Sequence, residues 1–529
     1  MSWRSWYGLP VALVLLNVVL SWAARAPGIL TGEDDVRYLI LGRALKVGQY
    51  RELWSPLQPE HHMYPPGYPA LLAAWTAIGG SAFSWLVVLQ ILLAAGTLLF
   101  TFDALRRIAP PFVALGTLLI LAVNPHLIHA SGAVMSESPL AFCFAVALWA
   151  SVSMARGPRQ TVVLITVAVL APMMRTMGVV LPVAVVADWL LARRYRDTVV
   201  AVAVFAITVG SLFVWTMSDP VVVTGNSYAA DLTHKAAGLP LWHTVLNRVF
   251  RNGFFYFTQG VPVNLPAPTI AGTRIDNVLV SLLIVVAFAA GFVPSFRRIR
   301  LPLFACIAMA ALLSMWPWPV ARYLSPALPL LVPMLLLGIG SLGEWASPRA
   351  AAIGVLSFAL VISACGAYAT FRRIDEVRPC DHSQPLPDAR CMSSDQASFF
   401  KVVQYVNDSL PKDARLVAAK AAPLYYYTNR PSLPSAQLTN IDSATFWKRL
   451  QDQQVDYVVL GALHASEYPS LAHQLAQRCS DLQIVAAFPP HTYLFRLAPT
   501  GATNGAAVHD DRACAAIRKY QHDAQPIPE

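Results

Sequence analysis

The chain is patterned in long apolar blocks separated by short polar loops, with runs such as Val11–Leu20, Val280–Phe292 and Leu328–Leu337 carrying no charge. Runs of about 20 apolar residues are long enough to cross a hydrocarbon core as helices, and in lipid a helix satisfies its own backbone hydrogen bonds. The pattern predicts spans at Gly8–Ala24, Phe83–Leu105, Phe112–Leu127, Leu140–Met154, Thr161–Met173, Met177–Leu191, Thr198–Met217, Val278–Pro294, Leu301–Met315, Ser325–Leu342 and Ala350–Phe371. That is about eleven crossings. Beyond residue 371 the pattern changes to ordinary polarity. Arg415–Ala419, Val455–Leu460 and Gln483–Ala487 read as strands, and Phe399–Ser409, Ala444–Gln453 and Ser470–Cys479 as helices between them, which predicts a small α/β domain. The expected fold is therefore a polytopic α-helical membrane protein, residues 1–371, followed by a C-terminal α/β domain, residues 372–529.

Composition and charge refine this picture. Only 13% of the 529 residues are charged against 56% hydrophobic, about half the charged share of a soluble domain. The net charge of +10 does not point to nucleic acid. Its arginines gather in alternate short loops, at 106–107, 156 and 159, 193–196, 297–300 and 349, as the positive-inside rule expects of cytoplasmic loops. Reading Thr161–Met173 and Met177–Leu191 as two crossings keeps all these clusters on one side. The N-terminus is then cytoplasmic, and three long segments lie outside: residues 25–68, residues 218–277 and the tail. Tyr7–Ala24 has the length of a signal peptide, but no A-x-A-like site follows it, so it is read as the first crossing. The Ala-rich, Lys-poor composition suits a bacterial inner membrane, with the tail periplasmic or extracellular. No internal repeat or low-complexity tract is evident.

Cys143, Cys306 and Cys365 fall in spans, whereas Cys380, Cys391, Cys479 and Cys514 fall in the tail, in a compartment that permits disulfides. Four cysteines allow three connectivities. Cys380–Cys391 with Cys479–Cys514 is favoured because both pairs are close in sequence. Zinc is the rival, weakened by the lack of a C-x₂-C pair.

Polar candidates sit where the spans meet the outer segments. Glu33, Asp34 and Asp35 follow the first span and precede Val36–Val47, which reads as an amphipathic helix along the membrane interface. A carboxylate there can take a proton from an acceptor hydroxyl, or it can merely complement a helix dipole. His61, His62 and Tyr64 precede a Pro-Pro pair that sets the entry to the next helix, and are expected on the outer surface. Glu137 opens the fourth span, with a solvated helix cap as its alternative reading. Arg175 interrupts an apolar hairpin, where an ionisable group is costly and therefore a functional candidate. Arg322, with Tyr323 beside it, offers a planar charged fork matched to phosphate oxygens; its alternative is a snorkelling anchor.

Taken together, Asp34-Asp35-Val36-Arg37-Tyr38, Tyr64-Pro65-Pro66-Gly67-Tyr68-Pro69, Ser136-Glu137-Ser138-Pro139-Leu140, Arg175-Thr176-Met177-Gly178 and Arg322-Tyr323-Leu324-Ser325-Pro326 resemble, in order, strings of the GT-C membrane glycosyltransferases. The resemblance is to glycosyltransferase family 39 and its relatives, the protein O-mannosyltransferases and the lipid A aminoarabinose transferases. It covers roughly residues 8–371. It implies a donor sugar on a polyprenyl phosphate and an acceptor hydroxyl on a glycan, lipid or protein. Transfer would proceed with inversion at the outer membrane face.

Asp34 falls on the family's proposed catalytic acid residue and Asp35 on its acidic neighbour. Glu33 stays an alternative base, and Arg37, Tyr38, His61, His62, Tyr64 and Glu137 are substrate-binding candidates. Tyr64 stands where the aminoarabinose branch has a phosphate-binding lysine, so Arg322, Tyr323 and Arg175 are the phosphate-binding candidates here. No metal or other cofactor is expected, because the leaving group is a lipid phosphate and not a nucleotide diphosphate. The alternatives are a lipid-linked sugar flippase, a scaffold acting through its tail, and an oligosaccharyl transferase or polymer ligase with a lipid diphosphate donor.

Overall fold

The computed structural model describes residues 8–29, 33–218, 241–266, 274–382, 386–435, 438, 441–461, 469–498 and 511–523. Thr31 and Gly32, and residues 219–240 and 267–273 of the expected outer segment 218–277, lie outside the described residues. The chain divides into two compact units. One comprises residues 1–26, 64–216 and 231–378; the other comprises 27–63, 217–230 and 379–529, so the first outer segment folds with the tail.

The first unit is helical. Its described helices are α1 (Gly8–Ala23), α3 (Gly67–Gly79), α4 (Phe83–Ile108), α5 (Pro111–Ala122), α6 (Pro125–Ser131), α7 (Glu137–Ser153), α8 (Pro158–Met174), α9 (Val180–Leu191), α10 (Tyr195–Met217), α11 (Leu241–Phe255), α12 (Val261–Asn264), α13 (Arg274–Arg298), α14 (Arg300–Met315), α15 (Leu328–Glu344) and α16 (Pro348–Val377). Five are long and apolar enough to cross a membrane, or six if the bent pair α5–α6 is one span, and five more are shorter apolar helices. Many apolar side chains point outward, among them Val199, Ile207 and Phe213 of α10 and Leu279, Leu283 and Val286 of α13. Water would penalise such faces, whereas lipid tails solvate them.

Breaks in the helices are where the polar side chains concentrate. The expected span Phe112–Leu127 is in fact α5 and α6, bent by 55°. Asn124 caps α6 by accepting from the amides of His126 and Leu127, and Pro125 occupies its first turn. Pro cannot donate into a continuing helix, and Asn favours the cap, so the run divides there despite its apolar composition. Carbonyls freed at the break are met from other helices: Asn17 donates to the Ala122 oxygen at 3.0 Å, and Thr370 to that of Val123 at 3.3 Å. Glycine sets another approach. A Cβ on Gly338 of α15 would stand 1.8 Å from the Ala287 oxygen of α13, so these helices touch backbone to backbone.

The second unit holds α2 (Asp34–Leu45), α17 (Ser394–Ser409), β1 (Leu416–Ala418), α18 (Ala421–Thr428), β2 (Ser432–Pro434), α19 (Ser443–Asp452), β3 (Tyr457–Leu460), α20 (Pro469–Ala476), β4 (Leu482–Phe488), β5 (Thr492–Leu497) and α21 (Asp511–Asp523). The strand order is β2-β1-β3-β5-β4. β1 runs parallel to β2 and β3, and the β4–β5 hairpin pairs antiparallel to β3. Alternation along the strands separates two cores. Val417, Val458, Leu460 and Phe495 pack with Phe446, Trp447, Leu475 and Ile517 of the helices on one face. Leu416, Ala418, Val459 and Leu494 pack with Phe399, Val403 and Leu424 on the other. The structure pairs Cys380 with Cys391 and Cys479 with Cys514. The second bond ties the α21 segment to the turn before β4.

Candidate active site

The acidic run lies in the second unit. Glu33 is the residue before α2 and holds a positive φ of 81°, a conformation costly for a residue with a side chain. Its ion pairs offset that cost. One carboxylate oxygen accepts from Arg37 Nη2 at 2.8 Å, and the other from Lys420 Nζ at 3.0 Å. Burial alone would push this carboxyl up, but the charges and hydrogen bonds of Arg37 and Lys420 hold it below the usual range. Asp35 is buried, with an oxygen accepting from the Val36 amide at 2.8 Å. Burial of their own hydroxyls raises Tyr426 and Tyr427 above the usual tyrosine range, and the nearby charge of Asp35 adds to the rise in both. Asp34, in the first helical turn, is only half-buried, and of the three carboxylates it alone keeps partial access to solvent.

Two expectations about this region are corrected. The α2 helix does not bury one apolar face alone. Val36, Tyr38, Leu39, Ile40, Leu41 and Ala44 are all buried, as is Asp35, and α18 packs against it. Its arginines are absorbed within the same unit: Arg37 by Glu33, and Arg43 by the Tyr426 ring at 4.5 Å. Nor are the histidines on the surface. His61 is 1% and His62 7% exposed, and Tyr64, in the first unit, is buried too. His61 Nδ1 is hydrogen-bonded to Glu52 Oε1 at 2.9 Å, and the ring meets those of Tyr50 and Trp54 edge-on. His62 stands 3.9 Å from Glu60. The loop closes through the Arg51–Glu60 bridge, which folds it back over these rings. Burial, then the nearness of Tyr38, raise the Tyr50 hydroxyl well above its usual range.

The basic candidates lie in the first unit. α8 ends at Arg175, and a short 3₁₀ turn, Thr176–Val179, leads into α9. Gly178 lets that turn fold back onto α8: a Cβ there would lie 2.1 Å from the Ala171 carbonyl carbon. The fold-back directs Arg175 at the start of α7, where Nη1 donates to Ser136 Oγ at 2.7 Å and lies 3.0 Å from Glu137 Oε1. Arg322 and Tyr323 belong to another 3₁₀ turn, Ala321–Ala327, that precedes α15. Arg322 Nε stands 3.9 Å from the same Glu137 oxygen. The Tyr323 ring lies beneath Arg175 at 5.2 Å and Arg322 at 5.9 Å. Two guanidiniums and a phenol ring thus surround one carboxylate that is 4% exposed.

The loop carrying Arg322 is anchored by residues that sequence reasoning missed. Asn252 donates to the Trp316 oxygen at 2.6 Å, Tyr256 to that of Val320 at 3.2 Å and Asn264 to that of Ala321 at 2.6 Å. A preference for buried amides among apolar residues was the only available signal. Under this loop lies an apolar cavity of about 270 Å³, lined by Tyr256, Phe288, Met309, Leu324 and Leu328 among others. Among the described residues no group of three or more His, Cys, Asp or Glu is placed to hold a metal ion.

No family model and no curated protein matches the chain. Solved structures do. ArnT from Cupriavidus metallidurans, in crystals bound to undecaprenyl phosphate, superposes with a TM-score of 0.57 at 15% identity, over 94% of this chain and 98% of that one. The Archaeoglobus fulgidus oligosaccharyltransferase tethered to an acceptor peptide gives 0.56 at 13%, over 88% and 71%. Mycobacterial arabinofuranosyltransferase AftD gives 0.54 at 13%, over 94% of this chain and 40% of that one. The likeness is one of architecture, and the architecture is the GT-C fold of membrane glycosyltransferases.

Proposed function

We propose that the protein is an inverting glycosyltransferase that moves a sugar from a polyprenyl-phosphate donor to an acceptor hydroxyl at the outer face of a bacterial inner membrane. The observation that carries this reading is the Arg175–Tyr323–Arg322 cluster. It is built at three helix breaks above an apolar cavity, in a chain with the fold of ArnT, which has been crystallised with undecaprenyl phosphate. A phosphodiester headgroup needs fork-like donors, and its prenyl tail needs an apolar slot. About eleven crossings, with residues 372–529 outside, complete the topology.

Asp34 is the base, since Glu33 is held by two cations and Asp35 is buried. It takes the acceptor's proton as the hydroxyl oxygen bonds to the anomeric carbon. The bond from that carbon to the phosphate oxygen breaks on the opposite face, and the electron pair leaves with the lipid phosphate. Arg322 and Arg175 stabilise the charge that grows there. Charge neutralisation by two guanidiniums makes a divalent ion unnecessary.

Asp34→Asn keeps the shape and removes the basicity. Mass analysis of lipids and glycans from cells carrying this variant is expected to show one sugar modification lost, with the purified enzyme slowed by about 10²–10⁴. Full activity in Asp34→Asn overturns the assignment of the base. Loss of wild-type activity on chelation, restored by a divalent ion, overturns the role given to the arginines.

A further inference from the structure

At the other end of the same helices lies a second polar cavity that the proposed reaction does not use. α7 begins at Glu137 and ends at Ser153, α8 begins at Pro158 and ends beside Arg175, and α9 ends at Leu191. A helix of this length carries its two ends about 25 Å apart. The cavity, about 150 Å³, is lined by Arg156, Arg194, Arg297, Arg298 and Arg300 against the single carboxylate of Asp188. It is far larger than the ~10–15 Å³ that one water needs.

The lining is built and only partly satisfied. Arg194 is fixed as a wall: it donates to Asp197 Oδ2 and Gln160 Oε1, each at 2.8 Å, and to Thr161 Oγ1 at 2.9 Å, and it stacks 4.8 Å over the Trp189 ring. Arg300 pairs with Asp188 at 3.1 Å. Among the described residues, Arg156, Arg297 and Arg298 form no ion pair within 4 Å, although the charge of Arg156 reaches Asp188. Trp189 is 1% exposed, lines the cavity, and its indole N–H is buried without an acceptor. A buried donor left unmade is costly, so the indole nitrogen calls for an acceptor, and the exposed guanidiniums of Arg156, Arg297 and Arg298 beside it supply the charge that favours an anion. Leu164 and Leu301 add an apolar part to the lining, and Leu190, Leu191 and Phe296, on the ends of the helices that carry it, are exposed. A free ion has no use for those residues; an acyl chain does.

We infer that this cavity binds the phosphate of an anionic membrane phospholipid, with the acyl chains along α9 and α13. The bound headgroup would join the loops after α7, α9 and α13 through one shared anion, a contact independent of the donor site and of the assignment of transferase activity. Basic pockets between membrane helices are suited to this chemistry.

The test is binding to the full-length protein, stripped of lipid in nonionic detergent, of dioctanoyl phosphatidylglycerol, dioctanoyl phosphatidylcholine and inorganic phosphate, read by thermal shift and by native mass spectrometry. Phosphatidylglycerol is expected to bind at least tenfold more tightly than the other two. Arg156→Gln with Arg298→Gln should weaken it by tenfold or more, and Trp189→Phe, which removes the N–H together with part of the ring, by about threefold. Both arginines are exposed, so their replacement leaves the fold intact. Equal binding of inorganic phosphate overturns the lipid assignment. Phosphatidylglycerol binding that is absent in the wild type, or unchanged in both variants, overturns the site. None of these readings depends on sugar transfer.

Discussion

Lys420→Met isolates the ion pair that fixes the acidic loop. In the native protein both oxygens of Glu33 are engaged, by Arg37 at 2.8 Å and by Lys420 at 3.0 Å, with side-chain exposures of 20% and 6% for the two cations. At 3.0 Å and an effective dielectric constant of 20 the Lys420 attraction is about 5 kcal/mol. Removing the ammonium also removes its own desolvation cost, which offsets roughly half of this. Arg37 keeps the carboxylate partly compensated, so the net loss should be about 2–3 kcal/mol, within the range for one charge-assisted hydrogen bond. Methionine fills the space of the lysine stem.

The assay is a double-mutant cycle with Glu33→Gln, followed by thermal unfolding of the purified protein. A coupling of about 2 kcal/mol is expected, and one below about 0.5 kcal/mol would refute the assignment. The pH dependence gives an independent check. The Glu33 carboxyl is depressed in the folded protein, so its contribution is present above the unfolded value near 4.5 and lost as the pH falls through the folded value. Lys420→Met raises the folded value, and its deficit should therefore shrink towards strongly acidic pH. A deficit that grows on acidification contradicts the sign of the argument.

Three further outcomes follow from the same geometry. Glu137→Gln removes the charge that aims both arginines, and should raise the KM for donor several-fold while leaving the fold intact by circular dichroism. Gly178→Ala places a methyl against the α8 carbonyls; it should displace Arg175 and cut kcat/KM by about tenfold or more at a cost of 1–3 kcal/mol in stability. Of the two disulfides, replacing Cys479 and Cys514 with serine should cost about 4 kcal/mol and replacing Cys380 and Cys391 about 3 kcal/mol, because the loops closed differ in length, with sequence separations of 35 and 11. Melting temperatures under oxidising conditions should rank the two variants in that order.

The apolar helices were legible because lipid imposes a simple demand, a sustained apolar run, and most ends moved by about a turn or less, although α16 runs on from the expected Phe371 to Val377. Where the run contained its own punctuation, at Asn124-Pro125, the apolar composition hid a break that the cap and the missing amide enforce. Errors elsewhere came from long-range partners. Arg37 and Arg43 gave α2 a polar stripe and the look of a surface helix, yet Glu33 pairs with Arg37 and the Tyr426 ring lies against the exposed Arg43 from within the unit. The same holds for His61, whose polarity is spent on Glu52 and two rings. Strands β2 and β5 escaped because Pro431 and Pro434 bracket β2 and argue against a strand, and β5 follows β4 after a short turn. Lys420 is distant in sequence from Glu33, and no local pattern announces such a pairing.

Glu137 shows how the phosphate-binding cluster can be ready before its ligand arrives. A pair of arginines directed at one point repel each other, and without a counter-charge they would turn toward solvent. Glu137 supplies that charge from the buried N-terminus of α7, where the helix dipole also favours a carboxylate. The two cations are held unequally. Arg175 has Ser136 at 2.7 Å and Glu137 at 3.0 Å, whereas Arg322 sees Glu137 only at 3.9 Å and is 38% exposed. In the proposed reaction Arg175 is thus the closely paired wall and Arg322 the more exposed group that turns to the departing phosphate. Glu137 does not have to be displaced, because its carboxylate remains paired with Arg175 while Arg322 turns to the growing charge. Such a division gives the transition state more stabilisation than the bound donor, which is the condition for a faster chemical step and not merely tighter binding.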